Sequence, residues 1–311
     1  MEKLKVLILP KFEIGEMTGD AAGEAQLYYE AYLQGSTRYE VPGCTTSLYV
    51  KDGVGLILTG MGKVNAASTL LCVLLDPRFD FSEAYVLSTG CAGSAAGYGV
   101  MGDVFVITAT IDFDMGHHAD ARELTSRRTS TWFHDEIYDN AAFRLLDPAL
   151  CSRVYALVQN TPLETTARTR AFMRESFGGA AWACRDPKVL RGTTVTSDNY
   201  WKGNYGHESA LLMAKTYGAP DPYAVTEMED HALAVVLDRC GMLNRLIILR
   251  DSVGADVFMN GDTPERLWSP ETIRFIADED CTESADIFFI AQKNNFRVGQ
   301  KIIDAILAGR L

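Results

Sequence analysis

The chain has 311 residues, 47% of them hydrophobic, enough to fill the core of one large α/β domain. With 41 acidic and 29 basic residues it carries a formal net charge of -12, which repels a phosphate backbone, and no basic run interleaved with aromatics offsets it. A role in nucleic-acid binding is therefore disfavoured.

Short apolar runs of β type recur along the chain: KVLILP (5–10), VGLILT (54–59), AYVLST (84–89), DVFVITATI (103–111), GTTVTS (192–197) and RLIILR (245–250). Helical patterns alternate with them at about 20–33, 63–76, 147–159, 206–217, 227–240 and 284–308. The alternation predicts one α/β domain around a parallel or mixed sheet. Residues 112–145 are charged and weakly periodic, and read as a long excursion from that sheet. The seven cysteines are scattered, odd in number and free of any CxxC pair, which fits a reducing cytoplasm rather than a disulfide framework or a zinc ribbon. The apolar run before Pro10 and Lys11 is too short for a signal peptide. The most membrane-like stretches, 68–75 and 231–237, fall well short of the roughly 20 apolar residues of a spanning helix. The expected location is cytoplasmic.

Several stretches are candidates for chemistry. TGMGKVNAAS (59–68) joins a strand to a helix through Gly60 and Gly62, whose amides are suited to facing an anion, although it is neither GxGxxG nor a Walker loop. STGCAGSAAGYG (88–99) also follows a strand, and its small residues let a ligand lie close to the backbone. TSDNYWKGNYG (196–206) groups Tyr200, Trp201 and Tyr205 after a strand, where aromatics either stack on a flat base or pack in the core. His117 and His118, among Asp112, Asp114 and Asp120, lack the spacing of a metal site. In AVTEMEDHAL (224–233), Thr226 and Glu229 stand at capping-box spacing, and Arg239 and Gly241 supply the matching helix end. Glu227 and Glu229 therefore either start a helix or hold a substrate.

Five stretches in sequence order, DFDMGHHADARE (112–123), DPKVLRGTTVTSDNYWKG (186–203), TEMED (226–230), IILRDSVGAD (247–256) and NNFRVGQKIIDAI (294–306), resemble the purine nucleoside permease family, within the nucleoside phosphorylase and nucleosidase superfamily. The resemblance spans nearly the whole chain. It implies a single three-layer α/β domain over residues 1–311, with a central mixed sheet. It also implies a purine nucleoside ligand, cleavage of its N-glycosidic bond in purine salvage, and a homo-oligomer.

On this resemblance Glu229 accepts hydrogen bonds from the ribose 2′ and 3′ hydroxyls. Met228 packs beneath the sugar, with Glu227 beside it. Gly62, Cys91, Ala92, Gly93 and Arg250 border the ligand. Tyr200 stacks on the base and Trp201 neighbours it. Asp256, or alternatively Asp251, assists the departing base, while Val253 and Gly254 stand where the family's superfamily relatives carry a serine and an acid. Glu13 or Glu16 prepares a water molecule. Ser88 and Cys91 replace an arginine and a serine that hold phosphate in related phosphorylases, which tilts the expectation towards hydrolysis; Lys11, Lys63 or Arg250 are the remaining phosphate candidates. No cofactor or metal is expected, with phosphate as a possible co-substrate. The alternatives are a nucleoside-binding protein without catalysis, aiding uptake or sensing, and a storage role.

Overall fold

The computed structural model describes residues 1–259, 262–267 and 282–311. Its ten-stranded sheet comprises β1 (Val6–Leu9), β2 (Thr37–Tyr39), β3 (Leu48–Lys51), β4 (Val54–Leu56), β5 (Tyr85–Ser94), β6 (Val104–Asp112), β7 (Phe143–Leu145), β8 (Val189–Thr196), β9 (Tyr223–Glu227) and β10 (Leu246–Ala255). The order is β7-β6-β8-β9-β5-β1-β4-β3-β2, and β10 pairs with both β5 and β6. The sheet mixes parallel and antiparallel pairs: β5 runs parallel to β1 and β10, while β9 meets β5 antiparallel and β10 meets β6 antiparallel. The pairings β6-β8-β9-β5-β10-β6 therefore close on themselves.

The residues of β1 show why the sheet is covered on both sides. Side chains alternate along a strand, and here both faces are apolar. Leu7 and Leu9 join one core with Ala66, Leu70, Leu233 and Leu237. Val6 and Ile8 join a second with Tyr28, Leu150, Val154 and Ile302. The first core is roofed by α2 (Lys63–Leu74) and α6 (Asp230–Arg239). The second is roofed by α1 (Gln26–Tyr32), α3 (Pro148–Val158) and α7 (Thr282–Leu307). The architecture is the expected mixed-sheet α/β arrangement.

The sequence pattern misplaces some elements. It overlooks β9, because two acids follow its apolar start, and the helices α4 (Ala167–Ser176) and α5 (Asn204–Thr216) receive unequal treatment: α5 is legible, α4 is too polar to show a stripe. The excursion at 112–145 is not wholly separate from the sheet, since β7 within it pairs with β6 and buried Trp132 anchors it.

The capping-box reading of Thr226 and Glu229 is also corrected. Thr226 lies in β9, and Glu229 is the residue before α6 but makes no side-chain cap. Glu227 does that work, accepting the backbone N–H of Glu229 at 2.6 Å and of Asp230 at 2.8 Å.

Glu13, one of the two acids expected to prepare water, has a structural task instead. Its Oε2 accepts the N–H groups of Ala25 (2.8 Å) and Gln26 (2.6 Å) at the start of α1, and its Oε1 accepts those of Ile14 and Gly23. Both oxygens are thereby engaged by backbone donors. Loss of this cap in Glu13→Ala is expected to lower stability by about 1 kcal/mol in urea denaturation. An unchanged midpoint would show that the loop holds its shape without the carboxylate.

Candidate functional site

The candidate site lies where β5, β9 and β10 meet. A cavity there is lined by Gly93, Thr226, Glu227, Met228, Ala255 and Asp256, with Asn199, Tyr200 and Trp201 from the turn after β8. Tyr200 is 68% exposed at its rim. Trp201 is a wall element: its ring stacks on Phe113 with centroids 4.9 Å apart and 18° between planes. A side chain at Gly206 would collide with that indole, so glycine is required there for a packing reason.

Behind the cavity the residues are charged and buried. Arg250, 1% exposed, projects from β10 and gathers three carboxylates. Its Nε donates to Asp230 Oδ2 at 2.8 Å, and its Nη2 lies 3.0 Å from Glu227 Oε2, 3.0 Å from Glu229 Oε2 and 2.9 Å from Asp230 Oδ1. Its Nη1 donates to the carbonyl of Cys91 at 3.0 Å. Glu229 Oε1 accepts the N–H of Gly62 at 2.9 Å, which ties Gly62 to the same network. Burial and the Asp230 charge push Glu227 up to about 7, against the pull of Arg250. Burial also acts to raise Asp230, but the charge and hydrogen bonds of Arg250 outweigh it and hold that carboxyl below its usual value.

Lys11 is the second buried cation. Its Nζ donates to the carbonyl of Leu9 (2.7 Å), the hydroxyl of Ser88 (2.7 Å) and the carbonyl of Thr89 (3.1 Å). An ammonium has three protons to donate, and these are three acceptors. Ser88 in turn donates to Asp230 Oδ1 at 2.7 Å. Burial and the neighbouring Arg250 press the Lys11 pKa downward, opposed by the surrounding carboxylates. The third candidate cation, Lys63, reaches Asp112 at 2.8 Å and Asp114 at 2.9 Å. The N-terminus of α2 is likewise met by the chain's own carboxylates, with Lys63 N–H donating to Asp198 Oδ1 at 2.7 Å.

Sequence reasoning missed Glu24. It is buried, and its carboxylate accepts the N–H of Lys11 at 2.7 Å and of Cys91 at 2.9 Å. A Cβ added at Gly90 would lie less than 3 Å from that carboxylate. The small residues of STGCAG thus make room, at Gly90, for a carboxylate of the protein itself. Burial raises the Glu24 pKa above the usual carboxylate range, against the charges of Lys11 and Arg250. No motif marks Glu24; it falls within the helical pattern expected over 20–33, and the helix itself begins two residues later at Gln26. Glu16 is exposed in the preceding loop and joins neither the cavity nor the network.

The remaining candidates separate clearly. Gly93, Tyr200, Trp201, Glu227, Met228 and Asp256 come together at the cavity. Gly62, Cys91, Glu229 and Arg250 form the layer behind it. Ala92 packs into the first core. Asp251 is held by Asn295 (2.7 Å) and Gln292 (3.1 Å) from α7, and burial pushes its carboxyl well above the usual range. Asp256 lines the cavity, whereas Asp251 lies among the α7 side chains. A register shift between Ser252 and Gly254, opposite Ala92 and Gly93, puts a bulge at Val253. Bulges re-aim the chain that follows, and the acid bordering the cavity is accordingly Asp256 rather than a residue at 254.

His207 and Tyr223 are two further residues that sequence reasoning passed over. Both bond to Asp256 Oδ2, His207 Nδ1 at 2.7 Å and Tyr223 O–H at 2.8 Å, while Ala96 N–H donates to Oδ1 at 3.0 Å. Among the described residues there is no group of three or more metal-ligating side chains. No described helix is long and apolar enough to cross a membrane.

The architecture is that of the nucleoside phosphorylase-like fold. A 5′-methylthioadenosine/S-adenosylhomocysteine nucleosidase from Streptococcus pneumoniae, solved with 8-aminoadenine, superposes with a TM-score of 0.58 at 15% identity, covering 97% of this chain and 100% of that one. The sequence model of the purine nucleoside permease family matches residues 3–310, and the chain belongs to that family. A probable purine nucleoside permease of Schizosaccharomyces pombe is 28% identical over 64% of this chain and 63% of its own length. A purine nucleoside permease of Candida albicans is 28% identical over 67% of this chain and 54% of its own. The chain thus spans less than two thirds of the length of either relative.

Proposed function

We propose that the protein binds a purine nucleoside and hydrolyses its N-glycosidic bond. As the base departs, the ribose gains positive charge and the base negative charge, so carboxylates beside the sugar and a proton source beside the base lower the barrier. The cavity brings the needed groups together: Glu227, Met228, Tyr200 and Asp256 line it, and Glu229 shares the Arg250 network with Glu227. Glu229 uses one acceptor position on each oxygen, for Gly62 and Arg250. A carboxylate has about four such positions, so two are left for vicinal hydroxyls.

The observation that favours water over phosphate is the occupancy of the cations. Lys11, Lys63 and Arg250, the three phosphate candidates of the sequence, each spend their donors on partners within the chain. Around Lys11 and Arg250 stand Glu24, Glu227, Glu229 and Asp230, acids of the chain itself that already partner these cations. We assign to Glu24, buried beside Lys11 and Cys91 with its carboxyl raised above the usual range by burial, the role of general base that the sequence gave to Glu13 or Glu16.

The test is incubation with a panel of nucleosides, with and without phosphate, with free base and sugar followed by chromatography. Free ribose is the expected product; ribose 1-phosphate would replace hydrolysis by phosphorolysis. Glu229→Ala is expected to cut turnover at least about tenfold, or about 1.4 kcal/mol of transition-state stabilisation. A folded variant with the parental rate would remove Glu229 from the sugar. A second reading, binding without cleavage, is favoured by the names of the permease relatives and by Gly254 standing where an acid is expected. It predicts nucleoside-dependent thermal stabilisation with no base released.

A further inference from the structure

Asp256 borders the cavity, and its carboxyl is met there by donors from three separate elements. Three donors converge on its two oxygens: Ala96 N–H on Oδ1, and His207 Nδ1 and the Tyr223 hydroxyl on Oδ2. All three partners donate, so both Asp256 oxygens serve as acceptors and the nearest titratable donor is the His207 ring. Its side chain is buried, whereas His207, in the first turn of α5, is only partly so. We propose that His207 is the proton store for the leaving base and acts through Asp256, a role that rests on the cleavage reading above.

The pair holds one proton more than a neutral imidazole and a carboxylate. When the bond between the anomeric carbon and the purine nitrogen breaks, its electron pair goes to the base. The stored proton passes from Nδ1 to the Asp256 carboxyl and from there to a ring nitrogen of the purine. His207 is left neutral, Asp256 is again a carboxylate, and the base leaves uncharged. His207 is thus a positioning residue and proton reservoir, while Asp256 is the group that touches the substrate.

The surroundings favour a charged imidazole. Burial lowers the His207 pKa, but the hydrogen bond and charge of Asp256, helped by Glu208 on the same helix, outweigh it and set the pKa above the ordinary histidine value. Tyr223, from β9, stays a hydroxyl donor, because burial and the Asp256 charge push its pKa far up. Lys202, in the preceding turn, feels Asp256 and Asp262 but is pressed towards its neutral form by burial. The sign of the pH effect follows. His207 carries its proton below its elevated pKa, and turnover is lost as pH rises through that pKa.

The experiment compares the full chain with H207N, whose amide can still donate to Asp256 but cannot titrate. The kcat and KM for inosine and adenosine are measured from about pH 5 to 9, alongside 4-nitrophenyl ribofuranoside, whose leaving group needs no proton. The relay predicts a kcat on nucleosides lowered about 100-fold, a KM little changed, loss of the alkaline limb, and near-parental cleavage of the nitrophenyl riboside. If H207N keeps the parental rate and pH profile on nucleosides, the relay is overturned while nucleoside cleavage stands. If it loses both substrate types equally, His207 is merely structural and the relay is again overturned. If the unaltered chain cleaves no nucleoside at all, the proposed function fails and the relay with it.

Discussion

Arg250→Met is expected to lower the free energy of unfolding by about 3–5 kcal/mol, the cost typical of stripping one partner from a buried ion pair. The reason is local charge balance. Glu227, Glu229 and Asp230 all bond to this one guanidinium within 3.0 Å, so its removal leaves three carboxylates packed together away from water. Lys11 cannot take its place, because its three protons are given to Leu9, Ser88 and Thr89. Arg250→Lys is expected to fare little better, since an ammonium lacks the planar fork that spans several acceptors and also reaches the Cys91 carbonyl. Urea denaturation followed by circular dichroism measures both. A loss below about 1 kcal/mol in Arg250→Met would mean that the three carboxyls do not depend on the guanidinium for their charge balance.

The second large effect is catalytic. Glu24→Gln is expected to reduce nucleoside hydrolysis about 100-fold, the lower range for removal of a general base, while nucleosides still raise the melting temperature. The amide preserves shape and one acceptor, so the N–H groups of Lys11 and Cys91 are not both stranded. Glu13→Gln serves as the contrast, because the Glu13 oxygens are engaged by backbone N–H groups around the start of α1, outside the Lys11–Arg250 network. It should perturb stability and spare turnover. Equal rates for Glu24→Gln and the parent chain would return the search for the base to the rest of the network.

The difference between these two glutamates shows what a sequence can and cannot disclose. Central strands such as VLIL at Val6–Leu9 are legible because burial on both faces demands unbroken apolar residues. The cluster TEMED is legible as a site because its acids sit where a strand passes into a helix. The partners of those acids are not, since hydrogen bonds at the site join residues far apart in the chain: Gly62 to Glu229, Ser88 to Asp230, His207 to Asp256. Acid content alone could not separate Glu13 from Glu24, eleven positions on. One is consumed by backbone donors at a helix start, the other is sealed between Lys11 and Gly90. The bulge at Val253, beyond which Asp256 borders the cavity, has no pattern that periodicity would detect.

The closed circuit of strands β6-β8-β9-β5-β10 has a consequence for how the chain matures. Its last member, Leu246–Ala255, leaves the ribosome after the other four, and until it inserts, Tyr85–Ser94 and Val104–Asp112 each keep an unpaired margin open to other chains. The same insertion delivers Arg250 to its carboxylates. Quenching of those sticky margins and neutralisation of the acids are therefore one event, so a nascent polypeptide stalled before Leu246 carries both liabilities together.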